Sequence, residues 1–301
     1  MLKAKTMDHA DRSPAAQPTL IERAADKLEA LVDRPLSRPR ATPEPASTIS
    51  PPVAEARGTP TRVPVVIDLA RLHAKGIASP MNSRNVTGEE FRRIKRDILS
   101  EMSASDDHAG PRNLIMVTSA LPAEGKTFVS VGLAMSLALE RDSRVLCVDG
   151  DLYRPRFDKE MGFKASRGLL DLLLDPSVKI ADVLLPTTVP GVSVLPAGRP
   201  HELSTELMTS RRMGALLEEL SQIFADGIVL FDSPPVLATH EAAALARSMS
   251  QILLVVAAEK TSRANIDAAV DQLSAARSLK LVLNGVRHVF LEPAYYGGYY
   301  G

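Results

Sequence analysis

Six short runs of nearly continuous apolar residues punctuate the chain: "NLIMVTS", "RVLCVD", "VSVLPAG", "GIVLFD", "QILLVVAAE" and "KLVLNGV". Strands covered on both faces read this way, because neither side of the pleat meets water. Longer amphipathic segments separate the runs. This alternation predicts βαβ units, and so an α/β fold with a mostly parallel sheet flanked by helices, over residues 85–288. A helix is predicted just ahead of the first run, in "TGEEFRRIKRDILSEM". There Thr87 and Glu90 fit a capping box, and Phe91, Ile94, Ile98 and Met102 share one face. Another amphipathic segment, "PTLIERAADKLEALV", lies far upstream. Thr19 and Glu22 suit its start, and Leu20, Ala24, Leu28 and Leu31 form an apolar stripe with Ile21 and Val32. Its polar face mixes both signs of charge, unlike a membrane-surface helix. No internal repeat is present.

Composition refines the boundaries. Half of the 22 prolines precede residue 81. The stretch 33–64 is rich in Pro, Ala, Ser, Thr and Arg and has no apolar period, as expected of a disordered linker. Residues 1–80 are therefore expected to be mostly disordered, with a short helix near 19–32. Residues 289–301 form a separate tyrosine-rich tail. Charge is balanced, 36 basic against 36 acidic residues, which gives no electrostatic reason for a nucleic-acid partner. The single Cys147 sits in an apolar run and cannot form an internal disulfide. That suits a reducing compartment. No apolar stretch approaches the roughly 20 residues of a membrane-spanning helix, and "MLKAKTMDHADRS" lacks the apolar core of a secretory signal. The expected location is cytoplasmic, with any membrane link supplied by a partner.

The chemistry concentrates in "VTSALPAEGKTFVSVGLAMSLAL". A strand ends at Ser119, a tight loop follows, and a helix begins near Gly125–Lys126. Gly125, Lys126 and Thr127 match the end of the phosphate-binding pattern G-x-x-x-x-G-K-[ST]; Ala120 replaces its first glycine. Backbone N–H groups at a helix N-terminus attract an anion, and the helix dipole favours negative charge. Lys126 would reach the β- and γ-phosphates of ATP, and the Thr127 hydroxyl would bind Mg²⁺. Ala123, Glu124, Gly125, Lys126, Thr127 and Phe128 are the loop's candidate nucleotide-binding residues.

Two further strands end in carboxylates. "VLCVDGDLYRP" places Asp149 at a strand tip with Asp151 two residues on, and "GIVLFDSPP" places Asp232 at another. The carboxyl ends of parallel strands share one edge of the sheet, where open α/β folds bind ligands. Lys126, Thr127, Asp149, Asp151 and Asp232 should therefore converge. Asp232 suits a magnesium-holding role beside Thr127 and Asp149.

These motifs together resemble the bacterial tyrosine kinases, over roughly residues 85–301. "LIERAADKLEAL", "EEFRRIKRDIL", "RNLIMVTSALPAEGKTF", "LPAGRPHELSTELM" and "FDSPPVL", with the Tyr/Gly tail, resemble most closely the exosortase-associated tyrosine autokinases of exopolysaccharide loci. The resemblance implies a P-loop kinase domain that uses ATP and Mg²⁺. It implies catalytic roles for Lys126, Asp149, Asp151 and Asp232, with Asp149 orienting or deprotonating the attacking phenol. Tyr153 stands where many relatives have arginine, and Arg154, which follows it, is expected to take that phosphate-binding or interface role. Asn284 lies where relatives contact adenine, a turn beside Gly285 being the alternative role. A basic helix near residue 90 resembles an E-x-x-R-x-x-R ring-assembly element in one of two registers: Glu90, Arg93 and Arg96, or Glu89, Arg92 and Lys95. The implied partners are further copies of the chain, a membrane polysaccharide co-polymerase and a tyrosine phosphatase. The tail "EPAYYGGYYG" becomes the expected phosphoacceptor through Tyr295, Tyr296, Tyr299 and Tyr300. Glycines keep each phenol presentable, and residues 287–301 span up to about 45–50 Å when extended. The competing reading is a nucleotide-operated assembly switch like the partition and division-site ATPases. Those carry an extra lysine early in the loop, where this chain has Leu121.

Overall fold

The computed structural model describes residues 63–77, 86–103, 110–140 and 143–286. The helix expected near 19–32, nearly all of the 33–64 linker and the tail at 289–301 lie outside the described residues. All six apolar runs are strands: β1 (Leu114–Ser119), β2 (Val145–Asp149), β4 (Val192–Leu195), β5 (Ile228–Asp232), β6 (Gln251–Ala257) and β7 (Leu279–Asn284). A two-residue β3 (Leu185–Pro186) completes a sheet of order β3-β4-β2-β5-β1-β6-β7. Every pairing is parallel except β3 with β4. β1, β2, β5 and β6 are buried throughout, as continuous apolar runs require. β7 is the exception: it is an edge strand, and Leu281 and Leu283 are exposed. Its sequence reads as a covered strand because edge position is a property of topology.

Each sheet face carries its own core. One packs under α2 (Val86–Ser103) and α3 (Lys126–Leu137). The other packs under α5 (Leu169–Leu174), α8 (Arg211–Ile223), α9 (His240–Ala246) and α10 (Arg263–Gln272). The remaining short helices are α1 (Leu69–Ala74), α4 (Phe157–Met161), α6 (Ile180–Val183) and α7 (Ser204–Met208). The predicted stripe of α2 faces the core: Phe91 and Ile98 are buried, and Ile94 and Met102 pack beside them. Thr87 lies within the helix, which is described from Val86 onward, rather than at its cap. Gly132 of α3 admits the Phe91 ring; a Cβ there would lie 2.1 Å from the ring edge. The close α2–α3 crossing depends on that missing methyl.

The folded body begins earlier than the expected residue 85. Residues 63–77, expected to be part of the disordered region, are built onto the sheet edge. Val65 donates to the Pro186 carbonyl at 2.8 Å and Thr188 donates back at 3.0 Å. Asp68 caps α1 by accepting from Arg71 N at 2.9 Å. Ile67, Leu72 and Ile77 are buried in the core beneath. The sequence signal was faint: three apolar anchors five residues apart fit neither a helical nor a strand period.

Candidate functional site

The loop after β1 delivers the phosphate-binding residues. Gly125 is the N-cap of α3, at φ +97°, and provides no side-chain cap. The first N–H groups of the helix are thus left for an external acceptor. Ala120 is fully buried and needs no left-handed backbone, so alanine suits the place of the missing glycine. Ala123 does adopt left-handed backbone, at φ +67°, at a cost of about 1 kcal/mol for an L-residue. Ala123→Gly should therefore raise the melting temperature of the nucleotide-free protein by about 2–4 °C, as read by differential scanning fluorimetry.

The β2–β5 register sets Asp149 opposite Asp232, and the three expected carboxylates gather around the start of α3. Lys126 Nζ donates to Asp151 at 2.7 Å. Thr127 Oγ1 donates to one oxygen of Asp232 at 2.6 Å, and Ser130 Oγ donates to the other at 3.1 Å. Asp149 accepts from Phe157 N at 3.1 Å and from Asp151 N at 3.3 Å. Burial pushes the Asp149 carboxyl well above its ordinary range, and the neighbouring Asp232 charge adds to this; the Phe157 N–H opposes it. Burial also raises Asp232, against the pull of Lys126 and of the Thr127 and Ser130 hydroxyls. For Lys126, burial disfavours the charged form, but Asp232, Asp151 and Asp149 together outweigh it and hold the ammonium above its usual value. Cys147 lies behind this cluster with its thiol pushed up by burial and then by Asp232, which makes it inert.

A cleft of about 760 Å³ opens beside the cluster. Ala123, Gly125, Lys126, Thr127, Phe128, Asp151 and Arg154 line it, as expected of binding residues. The Arg154 guanidinium lies 5.7 Å from the ring centroid of the exposed Tyr153, which also lines the cleft. Glu124 and Asn284 do not line it. The Glu124 side chain turns back to Leu121 N and Thr261, and Asn284 Nδ2 donates to the Glu124 carbonyl at 2.9 Å. The two expected nucleotide-binding residues thus contact each other through the Glu124 carbonyl and the Asn284 amide. Of the three clustered aspartates only Asp151 lines the cleft; Glu160 and Glu241 are the other carboxylates on its wall.

Sequence reasoning missed Ser130, although its spacing of three from Thr127 on one helix face was a usable signal. It also missed Thr261, which 137 residues separate from its partner Glu124; nothing local announces that contact. On α2, Glu89 pairs with Arg92. Lys95 is buried against Glu140 at 2.5 Å. The alternative register, Glu90, Arg93 and Arg96, is exposed along the helix.

The residues present fit a magnesium–triphosphate. Three buried carboxylates face one ammonium, an excess of negative charge that a divalent cation would offset. The buried Ser233 Oγ, adjoining Asp232, lacks a hydrogen-bond partner. Among the described residues no group of three or more His, Cys, Asp and Glu side chains is arranged to hold a metal alone. A cation here would complete its shell with phosphate and water, as Mg²⁺ does. Thr127, Asp149 and Asp232 are the residues that would hold it.

A parallel sheet, a glycine-capped phosphate loop and carboxylates at the tips of neighbouring strands define a P-loop nucleoside-triphosphatase fold. The AAA domain family model matches residues 114–280. The chain is 30% identical over 200 residues to the tyrosine-protein kinase ptk of Acinetobacter johnsonii, covering 66% of this chain and 26% of that one. It is 27% identical over 229 residues to the tyrosine-protein kinase YwqD of Bacillus subtilis, covering 75% of this chain and 92% of that one. Among solved structures, the kinase domain of the Escherichia coli tyrosine kinase ETK superposes with a TM-score of 0.57 at 26% identity, over 67% of this chain and 78% of that one. The chain belongs to the bacterial tyrosine kinase family. It spans about a quarter of the length of the Acinetobacter relative. Among the described residues, no helix is long and apolar enough to cross a membrane.

Proposed function

We propose that the chain is an ATP-dependent protein-tyrosine kinase that phosphorylates its own C-terminal cluster, Tyr295, Tyr296, Tyr299 and Tyr300. The observation that carries this reading is the gathering of Lys126, Thr127, Asp151 and Asp232 at one rim of the sheet, beside a cleft of nucleotide size. Residues 63–286 are then the kinase domain, and 289–301 its substrate tail.

Lys126 would exchange its pairing with Asp151 for the terminal phosphates, and the free N–H groups of α3 would hold the phosphate oxygens. When bound, Mg²⁺ would neutralise charge on those oxygens. Asp232 fixes the Thr127 hydroxyl for that ion, and Ser130 fixes Asp232. Freed from Lys126, Asp151 is the carboxylate at the cleft surface able to orient the incoming phenol. Behind it, Asp149 is raised toward the range where a carboxylate can accept a proton. The phenolic oxygen forms a bond to the γ-phosphorus, the bond to the bridging oxygen of ADP breaks, and the phenolic proton passes to the Asp149–Asp151 pair.

The exposed Glu90, Arg93 and Arg96 supply the charged ridge for assembly of copies into a ring, which would bring one copy's tail to another's cleft. In this reading the kinase regulates exopolysaccharide biosynthesis or export, in the exosortase-associated branch of the family. It would work at the cytoplasmic side of the inner membrane through a polysaccharide co-polymerase, and a tyrosine phosphatase would reverse the modification.

Incubation of the purified full chain with Mg-ATP, followed by mass spectrometry of the C-terminal peptide, should show stepwise additions of phosphate. Replacing all four tail tyrosines by phenylalanine should abolish them while leaving nucleotide affinity within about twofold, because none of the four is among the residues assigned to bind nucleotide. ATP hydrolysis without tail labelling would favour the assembly-switch reading. Leu121 speaks against that reading, since an apolar side chain packed on the core stands in place of the extra lysine.

A further inference from the structure

Glu124 sits between two left-handed residues, Ala123 at φ +67° and Gly125 at φ +97°. Backbone of this kind persists at a non-glycine residue only where its surroundings over-determine it. Here the surroundings hold all three oxygens of Glu124. One carboxylate oxygen accepts from Leu121 N at 2.8 Å, closing the loop on itself. The other accepts from the Thr261 hydroxyl. That hydroxyl oxygen accepts in turn from Ala257 N at 3.0 Å, which points its own proton at Glu124. The Glu124 carbonyl accepts from Asn284 Nδ2 at 2.9 Å. Asn284 lies so close to Gly125 that a Cβ there would be 2.0 Å from its amide nitrogen. Three distant pieces of chain thus meet at one buried glutamate, two at its carboxylate and one at its backbone carbonyl: the P-loop, the turn after β6 and the end of β7.

We propose that Glu124 is a positioning residue that, held by Thr261 and Asn284, keeps the P-loop in its phosphate-receiving shape before any nucleotide arrives. The inference rests on the reading that the cleft binds a nucleoside triphosphate. The loop's N–H groups point at the cleft only while residues 123 and 125 stay left-handed. A loop freed from the clasp relaxes toward ordinary backbone and must be reordered by each incoming ligand, so its loss appears as affinity rather than as fold. Thr261 touches neither the cleft nor the carboxylate cluster, which sets its role apart from that of a catalytic residue.

Thr261→Val keeps the shape and deletes the hydroxyl. The expected result is a Kd for a fluorescent Mg-ATP analogue raised about tenfold, the scale of a lost hydrogen bond to a charged group. Amide exchange at residues 121–125 of the nucleotide-free protein should accelerate by a similar factor, while β1 and the body of α3 keep wild-type protection. Thr261→Ser should restore both. Wild-type affinity and loop exchange in Thr261→Val would overturn the proposal. So would failure of Thr261→Ser to restore them, or faster exchange spread evenly through β1 and α3, which would mark a general loss of stability. Wild-type nucleotide affinity in Lys126→Met would instead remove the nucleotide site itself, whatever Thr261 does.

Discussion

Lys126→Met should lose Mg-ATP binding by at least about a hundredfold and show no phosphate on the tail peptide. Among the described residues, Lys126 is the ammonium held against Asp149, Asp151 and Asp232 at the start of α3. It is buried, and its bond to Asp151 spans 2.7 Å. Methionine fills a similar volume, so packing survives and charge does not. Removing one member of a buried pair leaves the other uncompensated, which costs about 3 kcal/mol. The nucleotide-free variant should therefore melt about 6–12 °C lower. Lys126→Arg separates the two effects. It keeps the positive charge beside Asp151 and should restore most of the melting temperature. A guanidinium fork does not reproduce a compact ammonium at a phosphate, so catalysis should stay low. Equilibrium binding, melting and tail mass spectrometry on the three proteins settle the matter. Phosphorylated tail in the methionine variant would refute the assigned site.

Asp149→Asn should reduce tail phosphorylation by about a hundredfold or more, while the nucleotide-free variant gains stability relative to wild type as pH rises. The sign follows from burial. The folded protein holds the Asp149 carboxyl well above the ordinary carboxylate range, chiefly by desolvation and then through Asp232. Between the unfolded value and the raised folded one, the native state binds more protons than the unfolded chain. The stability gained from the protonated group is complete below the unfolded value and is lost as pH climbs through the folded one. Asparagine carries no titrating proton at this position, so wild type minus variant isolates the effect. The melting temperature of wild type minus that of Asp149→Asn should fall as pH rises from the ordinary carboxylate range through the raised folded value. A difference that is flat or rises with pH would contradict the raised carboxyl. Mg-nucleotide should flatten the wild-type slope, because a cation stabilises the ionised form.

Most of what makes the site could be read from local patterns, because its residues sit where strands end. Continuous apolar runs fix strand tips to within a residue or two, and parallel topology turns tips into neighbours. Asp149 and Asp232 are adjacent for that reason alone. What escaped were properties of closure. Asn284 and Glu124 carry the right chemistry for a ligand, but the tertiary fold turns their polar atoms on each other. Ile67, Leu72 and Ile77 were hidden in a proline-rich neighbourhood because a strap anchored at separate points has no period. Both registers of α2 could be read from the sequence, although only Glu90, Arg93 and Arg96 complete the pattern with arginine. Packing distinguished them, by sinking Lys95 against Glu140 and leaving Arg93 and Arg96 outside.

The seat of Phe91 on Gly132 joins α2 to the helix whose first residue is Lys126. Under the proposed function, the charged ridge of Glu90, Arg93 and Arg96 and the phosphate loop would ride on one packed pair of helices. Enlarging residue 132 by a single methyl would part that pair while sparing every group assigned to the nucleotide.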